Sequence, residues 1–517
     1  MPQSQQRNRF SWGDAAFLYL EREGTPLNVA SLFIFKGKIA LNECIRLVES
    51  KLPLIPRYRQ RVVIPPYGVG LPTWEAARHF DIRNHIRELH LKRGTEKELK
   101  QTTSAILSGV MDRSRPLWDF TLLQGLHGGR TGVVARIHHC LADGIAGIGL
   151  MNVLLDSTPV PQNIPKQRKR VEATPQRDAG AAFVESLVTS YSQLLHKALI
   201  TEAEVLKVAQ DVVSQNGTLP FAELANLVPQ LTSPAERMPF NKVCVGPQKF
   251  AWASVPMADF KAIRERCGGT FNDVVLTIVS TAFRKYAEAH KVSMAGRLLR
   301  IVVPVNVRGN GDVSELGNRI SFVPVPVPLD ITDPRRLLAE ISQRTQLIKN
   351  AHIAELVALF ASLIAAIPTS VQALIGPIAS RLPLSVCNVI CTNVPGPQAP
   401  IYLLGHRMTA WYPYVPIGGE MGVNCAILTY DGSAYFGFTG DAQAAPDLER
   451  MEQFVTQSSA ELRKAAGVRS RSRVGKSVRV RRPAAQAQSS TKIDPTPAVS
   501  SIEQEEATQS PALAASA

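Results

Sequence analysis

The sequence predicts an α/β protein made of two folded stretches. Three observations carry this. Between residues 10 and 156, apolar β-branched runs alternate with segments of helical spacing. The same alternation returns from about residue 241 to 464. Between the two, residues 157–240 open with Pro159, Pro161, Pro165 and Pro175 and the basic cluster Lys166, Arg168, Lys169 and Arg170, the signature of a linker or exposed loop. The 517 residues suffice for two or three domains of about 100–200 residues each. With 45% hydrophobic and 20% charged residues, the chain is no collagen, coiled-coil rod or wholly disordered protein.

In the first stretch (1–156), Asn28 to Phe35 is a strand-like apolar run, and Leu41 to Lys51 has helical spacing that stops before Pro53. Gly132 to His138 is rich in β-branched residues and reads as a strand, and Ile145 to Leu155 reads as a helix. Within the linker, Phe183 to Val213 has the spacing of one or two helices. The second stretch (241–464) begins with a strand at Phe250 to Val255 and a short helix at Asp259 to Cys267. Asn272 to Lys285 reads as a buried helix, and Leu299 to Val305 and Ile320 to Val327 as strands. Asp431-Gly432 between Ala426–Tyr430 and Ala434–Thr439 is a hairpin signal. A helix from Pro446 to Arg463 closes the stretch. Residues 465–517 lack aromatics and are rich in Ser, Ala, Gln and Pro, a composition that predicts disorder.

The net charge of +15 is largely local. Residues 463–482 hold nine Lys and Arg and no acid, leaving 49 basic against 43 acidic residues elsewhere. A body so mildly basic gives little support to nucleic acid as the central partner. The seven cysteines are scattered, without zinc-finger spacing or a dense disulfide framework, which fits a reducing cytosol. The polar N-terminus has no apolar core of a secretory signal. The uncharged stretch Leu356 to Ser380 is broken by Pro368, Gly376 and Pro377, so it reads as two buried or interfacial helices rather than one membrane span.

The segment that carries chemistry is His138-His139-Cys140-Leu141-Ala142-Asp143-Gly144, at the end of a predicted strand. Adjacent strand side chains point to opposite faces, so the two histidines divide their roles. Gly144 permits a tight turn after Asp143. On spacing alone the segment also fits two structural histidines beside a capping aspartate. A metal site is the third reading, and no nearby cysteine or glutamate completes a ligand set for it.

His-His-x-x-x-Asp-Gly resembles the signature of chloramphenicol acetyltransferase-like acyltransferases. Around it the chain is similar to the bacterial bifunctional wax ester synthase/diacylglycerol acyltransferases. The likeness runs in order through Ser11-Trp12-Gly13-Asp14-Ala15-Ala16-Phe17-Leu18, Arg115-Pro116-Leu117-Trp118, Asn272-Asp273-Val274-Val275-Leu276, Pro304-Val305-Asn306-Val307-Arg308, Gly317-Asn318-Arg319, Asn393-Val394-Pro395-Gly396-Pro397 and Tyr430-Asp431-Gly432. The linker is longer and more basic than that family's, and the tail beyond 465 falls outside the likeness.

The resemblance implies two chloramphenicol acetyltransferase-like halves, each a mixed sheet with helices, with a channel between them. Long-chain acyl-CoA would enter from one side as co-substrate, and diacylglycerol or a fatty alcohol from the other. It implies His139 as general base, with His138 supporting and Gly144 making the turn. Asp143 would either hold the loop through a basic residue or polarise His139. Asn272 would face the oxyanion or, on its own residue chemistry, cap the helix that follows it, with Asp273 favouring the same terminus. Trp118 and Asp273 would line the substrate, Trp118 as a wall residue. No acyl-enzyme is needed, so Cys140 is expected to be a buried small residue. No metal and no bound cofactor are implied. The implied location is cytoplasmic, peripheral at the inner membrane face or at lipid inclusions. Rival readings are a relative acylating another hydroxyl or an amine, and a lipid-binding relative without catalysis.

Overall fold

The computed structural model describes residues 10, 12–65, 71–141, 153–160, 229–231, 233–306, 320–351, 353 and 387–468. The elements of the first stretch are α1 (Trp12–Leu20), β1 (Asn28–Lys36), α2 (Leu41–Lys51), β2 (Gln60–Val63), β3 (Thr73–Ala76), β4 (Ile86–His90), α3 (Glu96–Leu107), β5 (Trp118–Leu126) and β6 (Arg130–His138). The second stretch runs β7 (Gln248–Pro256), α4 (Met257–Cys267), α5 (Phe271–Ala289), β8 (Leu298–Asn306), β9 (Ile320–Pro328), α6 (Pro334–Asn350) and β10 (Val389–Val394). It ends with β11 (Tyr402–Leu403), β12 (His406–Tyr414), β13 (Val423–Tyr430), β14 (Ser433–Asp441) and α7 (Arg450–Ala465). The expected helices at 145–155 and 183–213, the uncharged stretch 356–380 and the tail from 469 lie outside the described residues, apart from the last turn of the first.

Among the described residues two six-stranded sheets form, in the orders β11-β12-β1-β6-β5-β4 and β7-β14-β13-β10-β8-β9, beside the two-stranded sheet of β2 and β3. The first sheet therefore borrows β11 and β12 from the second stretch. Residues 402–414 fall within 241–464 in sequence but complete the other half's sheet, β12 pairing antiparallel with β1 from Ala30↔Tyr414 to Phe35↔Met408. The first core follows suit: Phe250, Trp252, Tyr430 and Tyr435 pack into the cluster built around Leu32, Leu122 and Val134. The second core centres on α5, whose Val274, Val275, Leu276 and Val279 are wholly buried.

Edge strands are blunted by two different devices. On β9, Val323, Val325 and Val327 are buried, while Pro324, Pro326 and Pro328 alternate with them. Among the described residues β9 pairs only with β8, so the three prolines, which lack an N–H, fall on the free edge and remove the donors that another strand would need along that part of it. The opposite edge, β7, is covered by α3. Glu96, Lys100, Ser104 and Ser108 lie one helical turn apart along one face. The Trp252 indole donates to Glu96 Oε1 at 2.7 Å, and Lys100 pairs with Glu452 of α7. The Phe250 N–H donates to Ser104 Oγ at 3.0 Å and the Gln248 N–H to Ser108 Oγ at 2.9 Å. Two serine hydroxyls thus accept from backbone donors that a further strand would otherwise satisfy; leaving either donor without an acceptor would cost about 1–3 kcal/mol.

The Asp431-Gly432 hairpin forms as expected. Both residues take positive φ, 42° and 77°, joining β13 to β14 through Tyr430↔Ser433.

Candidate active site

β6 brings the histidine pair to the end of the first sheet. Successive backbone amides bond to opposite neighbours: the His138 N–H donates to Leu117 O at 3.0 Å, and the His139 N–H to Leu27 O at 2.9 Å. Extended geometry therefore continues through His139, and the two side chains diverge. Two residues earlier on the His138 face, Arg136 is buried and donates to Asp119 Oδ1 at 2.9 Å and to Gly109 O at 3.0 Å, fastening β6 to β5 and to the end of α3.

His138 is wholly buried. Its Nδ1 accepts from the Cys140 N–H at 3.2 Å and lies 2.9 Å from Cys140 Sγ, which puts the ring proton on Nε2. Nε2 stands 3.3 Å from Glu21 Oε1. Among the described residues Nε2 has no aligned hydrogen-bond partner, so this contact is electrostatic rather than a directed bond.

His139 is half-buried, and its ring lies flat on Phe17, with centroids 3.7 Å apart and planes at 14°. Burial is the main cause that holds its pKa down, to about 4; its own backbone hydrogen bond opposes this and the nearby His138 adds to it. The imidazole is thus uncharged at neutral pH. Cys140 is buried, and burial together with Asp14 and Glu21 raises its thiol far above the usual range. It stays a thiol, and so a poor nucleophile.

Glu21, which the sequence reading did not single out, stands directly behind the histidine pair. Its side chain is 1% exposed. Its Oε1 accepts from the Leu27 N–H at 3.0 Å, and its Oε2 from Arg113 Nη2 at 3.1 Å. Arg113 also donates to Leu18 O at 2.7 Å. Burial works to raise the Glu21 pKa, but His138, the Leu27 N–H and Arg113 together bring it below the ordinary value. Glu21 therefore ties together the end of α1, the start of β1 and the back of the histidine pair. An acid directly after the apolar run Ala15 to Leu20 was the available signal.

Other expected site residues sit elsewhere. Trp118, expected as a wall residue, is in the core at 2% exposure. Its indole donates to Tyr58 O at 2.8 Å, and its ring stacks on His85 at 4.6 Å. The residue that caps α5 is Thr270, not Asn272: Thr270 and Asp273 form a reciprocal capping box. Asp273 is buried, accepts from the Thr270 N–H at 2.7 Å and from Thr345 Oγ1 at 2.8 Å, and so serves the helix terminus. Asn272 is a half-buried residue in the first turn of α5, and no hydrogen bond among the described residues joins it to His139. Asp143 and Gly144 lie outside the described residues. Among the described residues no group of His, Cys, Asp or Glu could hold a metal ion.

Two mixed six-stranded sheets, the first completed by strands of the second stretch, carry the histidine pair at the end of a central strand, and a solved acyltransferase and a condensation domain share this fold. The solved wax ester synthase/diacylglycerol acyltransferase from Marinobacter aquaeolei VT8 is similar over 89% of this chain and 100% of its own, with a TM-score of 0.61 and 23% identity. A starter condensation domain of rhizomide synthetase, crystallised with C8-CoA, shares the fold at a TM-score of 0.53 and 12% identity, over 89% of this chain and 96% of its own. In sequence, the wax ester synthase/diacylglycerol acyltransferase catalytic domain matches residues 10–275, and the C-terminal domain of the same family matches 316–463. The chain belongs to the wax ester synthase/diacylglycerol acyltransferase family, and it is an acyltransferase. The probable diacylglycerol O-acyltransferases tgs1 and tgs2 of Mycobacterium tuberculosis are 25% and 26% identical over 88% of this chain, covering 96% and 98% of their own lengths.

Proposed function

We propose that this protein transfers a long-chain acyl group from acyl-CoA to the hydroxyl of diacylglycerol or of a long-chain alcohol, with His139 as general base. The observation that carries the reading is the placement of His139 at the end of β6: its N–H bonds Leu27 O on the side opposite to the His138 bond, and its ring is half-buried where that of His138 is wholly buried. An alcohol is a poor nucleophile while it keeps its proton. A neutral imidazole takes that proton as the oxygen attacks the thioester carbon. The tetrahedral intermediate then collapses, the C–S bond breaks, and the same proton passes to the departing CoA thiolate. Base catalysis of this kind contributes about 10²–10⁴-fold. Cys140 takes no part, and the reaction needs no resident cofactor. Asp143 holds the turn in this reading.

The test is release of CoA thiol from palmitoyl-CoA with diacylglycerol, with hexadecanol, and with neither, alongside isolation of the ester formed. Thiol release without ester in every arm would leave a hydrolase, and no release a lipid-binding relative. The pH profile is a second readout. With the base pKa lowered to about 4, turnover should persist below pH 6.5 and fall only toward pH 4, the fold being followed by circular dichroism. A midpoint near the ordinary histidine value of about 6.5 would mean that the working ring is open to water.

The substrates are long apolar chains, so the reading places the enzyme at a lipid surface, on the cytoplasmic face of the membrane or on lipid inclusions. No helix among the described residues is long and apolar enough to cross a membrane. The basic run at 463–482 offers attachment, each cation contributing about 1 kcal/mol beside an anionic bilayer. Its first members belong to the body: Arg463 pairs with Asp259 at 3.2 Å, and Ala466 is buried. A deletion should therefore begin at residue 470, where the compact unit ends. Removing 470–517 should weaken salt-sensitive sedimentation with anionic liposomes. Unchanged, salt-resistant binding would move attachment to the folded body.

A further inference from the structure

Phe17 belongs to the N-terminal segment that resembles the family opening, yet the chemistry above gives it no part. It is half-buried on α1, beside Ala15 and Leu18, which are 2% and 1% exposed and fix the helix to the core. The phenyl ring covers one face of His139 at 3.7 Å.

Both partners of this stack are held by one chain of bonds. The Glu21 N–H donates to Phe17 O at 3.2 Å. The Glu21 carboxylate accepts from the Leu27 N–H at 3.0 Å. Leu27 O accepts from the His139 N–H at 2.9 Å. Arg113 closes the helix end through Leu18 O. The circuit returns to Phe17 through the ring contact. The His139 backbone and the phenyl ring are thus set by the same few residues, and what is left to fix is the tilt of the imidazole plane, which its hydrogen bond to its own backbone restrains from one edge only. A flat aromatic face at van der Waals distance fixes that tilt, which a branched aliphatic side chain of similar size would not.

We propose that Phe17 is a positioning residue for His139: its ring fixes the imidazole plane, so that the in-plane lone pair that takes the proton is aimed in one direction. The proposal rests on His139 being the base. Its consequence is a defect in the chemical step rather than in binding. Misplacing a catalytic group by about 1 Å costs on the order of 10²-fold, so a freed ring should lower kcat by about 10–100-fold with KM little changed.

The experiment compares Phe17→Leu, which keeps bulk, with Phe17→Tyr, which keeps the flat face. The melting temperature of each is recorded. Carbethoxylation of His139 by diethyl pyrocarbonate, mapped by mass spectrometry, reports ring access independently of turnover. The Leu variant should lose kcat, keep KM and label faster at His139, whereas the Tyr variant should behave like the parent protein in all three. Leu and Tyr variants that behave alike overturn the proposal, as does a loss of kcat without faster labelling, or faster labelling without a loss of kcat. His139→Ala is run in parallel. Turnover surviving that substitution would refute the base assignment itself, whereas an inactive His139→Ala beside like-behaving Phe17 variants would refute only the positioning role.

Discussion

Replacing His139 by alanine should lower acyl transfer by about 10²–10⁴-fold while leaving a folded protein. The fold should survive because the ring is only half-buried and lies on Phe17, which is itself half-buried. The backbone bond from His139 N–H to Leu27 O does not depend on the side chain. His138→Ala should give the converse. That ring is wholly buried, accepts from the Cys140 N–H and neighbours Glu21. Its loss leaves a buried donor unsatisfied, at about 1–3 kcal/mol, while the proton acceptor opposite remains. Activity per folded molecule should therefore stay well above that of His139→Ala, with a lower denaturation midpoint. Measuring both quantities on both variants separates the roles. Near-normal turnover by a folded His139→Ala protein would return the pair to a structural reading.

The division between the two histidines was legible because it depends only on strand alternation, a local property. So was the hairpin at Asp431-Gly432, whose positive φ values the residue types demand. Helix α6 carries a signal as local as these, which the sequence reading did not use: Asp333 caps it by accepting from the Arg335 and Arg336 N–H groups, and Pro334 opens it. What the sequence hides is long-range pairing. Nothing local says that β12 leaves its own half to lie beside β1, or that serines on α3 accept from β7. Trp118 shows the cost of reading a motif as a site. Its neighbourhood matches the family, but its side chain stabilises the core through Tyr58 and His85. With Asn272, cap chemistry was rightly expected but at the wrong residue, because Thr270 precedes it with the spacing of a capping box.

Glu21 carries the largest effect outside the histidine itself. Its partners lie 6, 92 and 117 residues away in the chain, at Leu27, Arg113 and His138, so only the fold discloses them. Glu21→Ala should destabilise strongly. Removing one member of a buried ion pair costs about 3–5 kcal/mol, and the lower end applies here because the Arg113 side chain is 34% exposed and can recover water. Glu21→Gln keeps the shape and an acceptor for the Leu27 N–H, so it should cost about 1–3 kcal/mol. Its activity should fall as well, because the neutral amide loses the pairing with Arg113, which fixes the end of α1 and so the seat of Phe17 beside His139. The pH dependence gives a sign. The folded carboxyl titrates below its ordinary value. Its stabilisation is therefore complete above about pH 4.3 and is lost as pH falls from there through the lower folded value. Denaturation midpoints measured from pH 6 to pH 3 should fall more steeply for the parent protein than for Glu21→Gln. Parallel curves, with full activity in the variant, would show that Glu21 is a bystander and that Leu27 is held by its strand alone.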